Sequence, residues 1–94
     1  MKFEKVSGNH RTHSVQIYTL STCGWCKKTK QLLKKLDVAY EYIDVDLLSD
    51  EEIDAARQEH RKHNPRGSFP TVVIDDGKHV VIGYKEDEIR EALK

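Results

Sequence analysis

The sequence predicts an α/β domain with the element order β-α-β-α-β-β-α, a mixed sheet of about four strands with helices on both faces. Three observations carry this reading. Short β-branched runs alternate with segments of helical period, capping signals stand at the boundaries between them, and an acidic-glycine turn joins the last two strands. At 94 residues the chain suits one compact domain, with residues 15–94 as its body and residues 1–14 as a polar N-terminal extension.

That extension, "MKFEKVSGNHRTHS", is weakly patterned, with Ser7-Gly8-Asn9 as a turn signal, and reads as a flexible lead or one arm of a hairpin. Val15 to Leu20, "VQIYTL", is β-branched and aromatic and predicts the first strand. Ser21-Thr22 is placed to cap a helix from about Cys23 to Leu36, whose Thr29, Leu32, Leu33 and Leu36 share one face. After a turn at Asp37, "AYEYIDVD" predicts the second strand. Ser49-Asp-Glu-Glu is a capping-box pattern in which the Ser49 hydroxyl accepts from the Glu52 amide; it starts a polar helix to about His63, ended by Asn64-Pro65. Phe69-Pro70 introduces a strand from Thr71 to Asp75, the Asp76-Gly77 turn pairs it with His79 to Ile82, and "EDEIREALK" closes the chain as a helix with Ile89, Ala92 and Leu93 inward. The two strands that flank the first helix should be parallel neighbours through a right-handed crossover, and the closing hairpin antiparallel.

Composition narrows the function. Apolar residues make up 37% and charged residues 34%, with 16 basic and 16 acidic side chains, so the basic excess of a nucleic-acid binder is absent. The apolar runs are too short to span a membrane, and Met1 to Ser14 lacks an apolar signal core. A cytoplasmic location is expected, where thiols stay mostly reduced.

There are two cysteines, Cys23 and Cys26, in "YTLSTCGWCKK" at the junction of the first strand and first helix. A disulfide closing so short a loop contributes little as a staple, so a catalytic or metal-binding role is expected. Backbone amides at a helix start have no internal partner and favour a thiolate, and Lys27, Lys28 and Lys30 add to that field. Cys23 is therefore the candidate nucleophile, and Cys26, one turn deeper, the thiol that resolves a mixed disulfide. Two rival readings exist: buried filler, and a zinc site that adds His60 and His63. The spacing between the cysteine and histidine pairs far exceeds that of a zinc finger, and both histidines read as a solvated helix face. Phe69-Pro70 is the second feature of interest, because a cis Pro70 beside the helix start would offer the Phe69 backbone to a substrate. Trp25, between the cysteines, is expected to contact a partner.

The combination of "CGWC" after a strand, "SFPTVVI", an acidic-glycine turn and "GYKEDEI" resembles the glutaredoxin family of the thioredoxin superfamily over residues 15 to 94. The resemblance implies a thioredoxin-like fold and a dithiol oxidoreductase that reduces protein or mixed disulfides. In it Cys23 matches the nucleophile, Cys26 the resolving cysteine, Pro70 the cis-proline, and Phe69 the residue whose backbone pairs with a substrate cysteine. Lys27 and Arg66 become candidates for contact with a glutathione carboxylate, and Asp87 falls in the segment that would hold the other end of that tripeptide. Gly24-Trp25 stands where glutathione-using members have Pro-Tyr, and Gly83-Tyr84 where they have Gly-Gly, so Tyr84 reshapes the surface beside the thiols. "GYKEDEI" is more similar to the glutaredoxin-like electron donors of ribonucleotide reductase, which thioredoxin-reductase-type flavoenzymes reduce. No bound cofactor is expected. The donor is external: glutathione, another low-molecular-weight thiol, or such a reductase. Protein disulfides, ribonucleotide reductase among them, are the expected substrates of a monomer, and the alternative function is an iron–sulfur or zinc carrier using the same cysteines.

Overall fold

The computed structural model describes residues 2–94. Five strands, β1 (Glu4–Val6), β2 (Val15–Thr19), β3 (Tyr40–Asp44), β4 (Thr71–Ile74) and β5 (His79–Ile82), form one sheet in the order β1-β3-β2-β4-β5. Three helices, α1 (Gly24–Lys35), α2 (Asp50–His63) and α3 (Glu86–Ala92), complete the α/β fold. β2 and β3 are parallel with Ile17 opposite Tyr42, as two strands joined through a helix must be, while β2 with β4 and β4 with β5 are antiparallel. Among the described residues no helix is long and apolar enough to cross a membrane.

Alternation along the central strands sends successive side chains to opposite faces. Val15, Ile17, Val72 and Ile74 pack with Leu32 and Leu33 of α1 and Ile89 of α3. Tyr18, Ile43 and Val73 pack with Ala56 of α2 and with Val45. The sheet is thus covered on both faces, and the helical periods of α1 and α3 put the predicted residues inward: Thr29, Leu32, Leu33 and Ile89 are buried.

The structure corrects the sequence reading in four places. The sheet has five strands rather than four, because Glu4–Val6 pairs antiparallel with β3, Glu4 opposite Tyr42. Phe3 then meets Tyr18 edge to face at 5.6 Å, and Gly8 passes so close to the β3 approach that a Cβ there would lie 2.4 Å from the Ala39 nitrogen. The second predicted strand ends at Asp44, and Val45–Leu47 is a short 3-10 turn. Ser49 does not cap α2 through its hydroxyl, which instead donates to the Glu52 carboxylate at 2.9 Å, while the Glu52 amide donates to the Ser49 carbonyl. The last hairpin turns through Asp75, Asp76 and Gly77, all at positive φ, rather than through Asp76-Gly77 alone.

Candidate active site

The N-terminus of α1 is built differently from the expected Ser21-Thr22 cap. Ser21 is taken by Asp46, which accepts from its amide at 2.8 Å and from its hydroxyl. Cys23 becomes the N-cap: its backbone is extended, its amide donates to the Leu20 carbonyl at 3.1 Å, and its Sγ accepts from the Cys26 amide at 3.2 Å. A thiol thus fills the place of the usual capping oxygen and satisfies one of the helix's free amides. Cys23 is half-buried, whereas Cys26 has no exposed surface, and neither is in a disulfide. Burial first, and the hydrogen bond to Cys23 second, push the Cys26 thiol up to about 12, with the Lys30 charge acting in the opposite direction. The two thiols therefore differ sharply in access and share one hydrogen-bonded turn.

Trp25 is 59% exposed in that turn. Its carbonyl accepts from the Thr29 hydroxyl at 2.8 Å, Lys28 Nζ stands 4.8 Å over its ring, and Tyr84 stacks on it with centroids 5.7 Å apart. Tyr84 follows Gly83, whose φ of +88° turns the chain from β5 toward α3, and its hydroxyl donates to Glu86, which is held in turn by Arg90 Nε at 2.8 Å. Of the lysines expected to add to the field at the helix start, Lys30, whose charge acts on Cys26, is also held 3.4 Å from Asp44 and over the Tyr42 ring.

Trp25, Phe69, Pro70, Gly83 and Tyr84 together line a cleft of about 170 Å³. The Phe69–Pro70 peptide bond is cis, and the Pro70 carbonyl accepts from the Gly83 amide at 2.8 Å, joining the β4 entrance to the β5 exit. Four predicted site residues thus meet at one cleft beside the cysteine turn. Lys27, Arg66 and Asp87 are exposed and do not line it.

One of the two histidines corrects another expectation. His60 is not on a solvated face: it is 2% exposed, its ring stacked on Tyr18 at 4.7 Å and its Nε2 2.9 Å from Thr71 Oγ1. The zinc set of Cys23, Cys26, His60 and His63 is not assembled: His60 is committed to Thr71, and among the described residues no group of three or more His, Cys, Asp or Glu side chains comes together to hold a metal. What the sequence reading missed is the group of buried polar side chains behind the cleft, His60, Asn64 and Thr71. Its available signal was the i, i+4 spacing of His60 and Asn64 on one helix face ahead of a threonine that follows Pro70.

The glutaredoxin family model matches residues 15–80, more than half of the chain. A crystal structure of a glutaredoxin from Methanosarcina mazei superposes with a TM-score of 0.87 at 45% identity, covering 99% of this chain and 88% of that one. The Methanosarcina acetivorans methanoredoxin structure gives a TM-score of 0.87 at 44% identity, with 99% and 95% covered. An uncharacterised glutaredoxin-like 8.6 kDa protein from a Clostridium pasteurianum rubredoxin operon is 30% identical over 80 residues, which are 85% of this chain and 97% of that protein. The chain belongs to the glutaredoxin family of the thioredoxin superfamily, and so to the thiol–disulfide oxidoreductases.

Proposed function

We propose that this protein reduces protein disulfides by a two-thiol cycle in which Cys23 attacks and Cys26 resolves. One observation carries the reading: the half-buried Cys23 accepts a hydrogen bond from the Cys26 amide, while the Cys26 thiol lies fully buried one turn below. In the first step the Cys23 thiolate bonds to one sulfur of the substrate disulfide, the substrate S–S bond breaks, and the other sulfur leaves as a thiolate that takes a proton from water. In the second, Cys26 gives up its proton and bonds to Cys23 Sγ, and the remaining substrate sulfur leaves. The substrate gains two electrons and two protons, and the protein is left with a Cys23–Cys26 disulfide. A donor then returns two electrons. The high pKa of the Cys26 thiol suits this order, because it keeps Cys26 a thiol until Cys23 has reacted.

In this reading the Phe69 backbone and Pro70 face the substrate cysteine, and Trp25 and Tyr84 form the aromatic wall against which it lies. Lys27, Arg66 and Asp87, outside the cleft, supply charge at its approaches. Tyr84, stacked on Trp25, occupies surface that a glutathione backbone would need, which favours another low-molecular-weight thiol or a thioredoxin-reductase-type enzyme as donor. The likeness to a protein of a rubredoxin operon supports a place in electron transfer within a reducing compartment such as the cytoplasm.

The test is a pair of variants. Cys23→Ser should lose disulfide reduction entirely, and Cys26→Ser should accumulate a mixed disulfide with protein substrates, visible as a mass adduct removed by dithiothreitol. Full turnover of protein disulfides by Cys26→Ser would overturn the two-thiol cycle. Incubating the oxidised protein with glutathione, with another small thiol or with a thioredoxin reductase system, and counting free thiols, identifies the donor.

A further inference from the structure

The buried His60 is not used by the thiol cycle, and its surroundings show what it holds. Its ring lies between Tyr18, parallel at 4.7 Å, and Phe69, tilted at 4.7 Å. Its Nε2 meets Thr71 Oγ1 at 2.9 Å, and the same oxygen receives Asn64 Nδ2 at 3.0 Å and donates to the Ser68 carbonyl at 2.9 Å. A hydroxyl has one hydrogen and two acceptor sites, so with its hydrogen committed to Ser68 it accepts from both neighbours, and the His60 proton sits on Nε2. The second hydrogen of Asn64 Nδ2 is shared between Ser68 Oγ at 3.0 Å and the Ser68 carbonyl at 3.3 Å, and its Oδ1 accepts from the Arg66 amide at 3.2 Å. His60, Asn64 and Thr71 are each 2% exposed or less, and among the described residues no buried side-chain nitrogen or oxygen lacks a partner.

A buried network of this kind favours one geometry, because moving His60, Asn64 or Thr71 leaves a polar group without its partner in a poorly solvated place. Each bond here ends on the segment from Asn64 to Thr71, which carries the Phe69 and Pro70 wall of the cleft. We propose that His60 is a positioning residue for the thiol chemistry: through the Thr71 hydroxyl and the Phe69 ring it fixes the wall against which a substrate disulfide is laid. The inference rests on the reading of the protein as a disulfide reductase. His60 therefore governs how well a disulfide is seated, and leaves the intrinsic reactivity of Cys23 alone.

The experiment uses the full chain, a fluorescent peptide with one internal disulfide and a saturating low-molecular-weight thiol that returns two electrons per cycle, its direct reaction with the peptide subtracted, with the rate of Cys23 alkylation by iodoacetamide as a second readout. His60→Phe keeps a ring between Tyr18 and Phe69 but removes the donor, and Thr71→Val removes the hydroxyl. Each should raise KM for the peptide about tenfold, the equivalent of one hydrogen bond, with kcat and the alkylation rate near wild type. Thr71→Ser, which restores the hydroxyl, should recover the wild-type KM. An unchanged KM in a folded His60→Phe or Thr71→Val protein overturns the proposal, and so does a fall in alkylation as large as the rise in KM, which marks general loosening. If His60→Phe does not fold, Thr71→Val against Thr71→Ser decides alone. Failure of the wild-type protein to reduce the peptide would instead defeat the disulfide-reductase reading itself.

Discussion

Where β2 runs toward the thiols, Tyr18 stands opposite Thr71, and the polar side chains His60, Asn64 and Thr71 are buried and fully bonded; where the same strands begin and end at the far side, Val15 stands opposite Ile74, and the polar ties lie at the surface. There Asn9 bonds to the Asp37 carboxylate at 2.6 Å and His13 to the Asp75 carboxylate at 2.7 Å. The residue types match at the two ends, but the solvent does not. Water replaces a lost bond at the far end, whereas it has little access to the buried His60 and Thr71 near the thiols. The less replaceable bonds are thus concentrated beside the cysteine turn.

The largest effect should come from the asparagine at the thiol end. Asn64→Ala empties the space of a buried side chain and removes one partner of the buried Thr71 hydroxyl, and should cost about 1 to 3 kcal/mol, water reaching the exposed Ser68 and Arg66 in its place. Asn9→Ala, an exposed substitution, should stay within about 0.5 kcal/mol. Urea unfolding of both variants measures the contrast, and equal losses would break it.

Much of this architecture is legible in the sequence, for identifiable reasons. The inward face of α1 follows from the period of Thr29, Leu32 and Leu33, and the central strands from their β-branched runs, because burial there follows the local side-chain pattern. The meeting of Trp25, Phe69, Pro70 and Tyr84 follows from where the motifs sit relative to strand ends. The N-terminal strand does not show, since Glu-Lys-Val has no pattern of its own and pairs only because β3 offers a free edge. Nor does the cap of α1, where Asp46, 25 residues away, captures Ser21 and leaves Cys23 to cap the helix. His60 reads as surface because a histidine among charged residues is usually solvated; only the fold brings Thr71 to its Nε2.

The next effect in size is one of pH, and the two ends should respond with opposite sign. Burial, the leading cause, holds His60 below its ordinary value, and the charges of Arg61 and His63 act the same way. The unfolded chain takes up a proton at this histidine near pH ~6.5, which the folded protein refuses. The contribution to stability is therefore full above about 6.5 and is lost as pH falls through the folded value. Denaturant midpoints measured down from neutral pH should decline in the wild type and decline less in His60→Gln, and parallel declines would remove His60 as the cause.

The smallest effect belongs to His13, and it should run the other way. Both of its ring nitrogens face acceptors, Asp75 Oδ2 at 2.7 Å and the Lys94 main-chain oxygen at 3.0 Å, and only the imidazolium donates from both. The hydrogen bond to Asp75 first, and that to Lys94 second, accordingly hold His13 above its ordinary value. The tie is complete below about pH 6.5 and is lost as pH rises through the raised folded value. Standing at the surface, it is weakened by salt and worth less than a buried network. His13→Gln should lower the denaturant midpoint by less than Asn64→Ala does, only at acidic pH and only at low salt, with disulfide reduction unchanged. A loss that persisted at high pH and high salt would show that His13 acts through packing, and the two ends would then differ in degree rather than in kind.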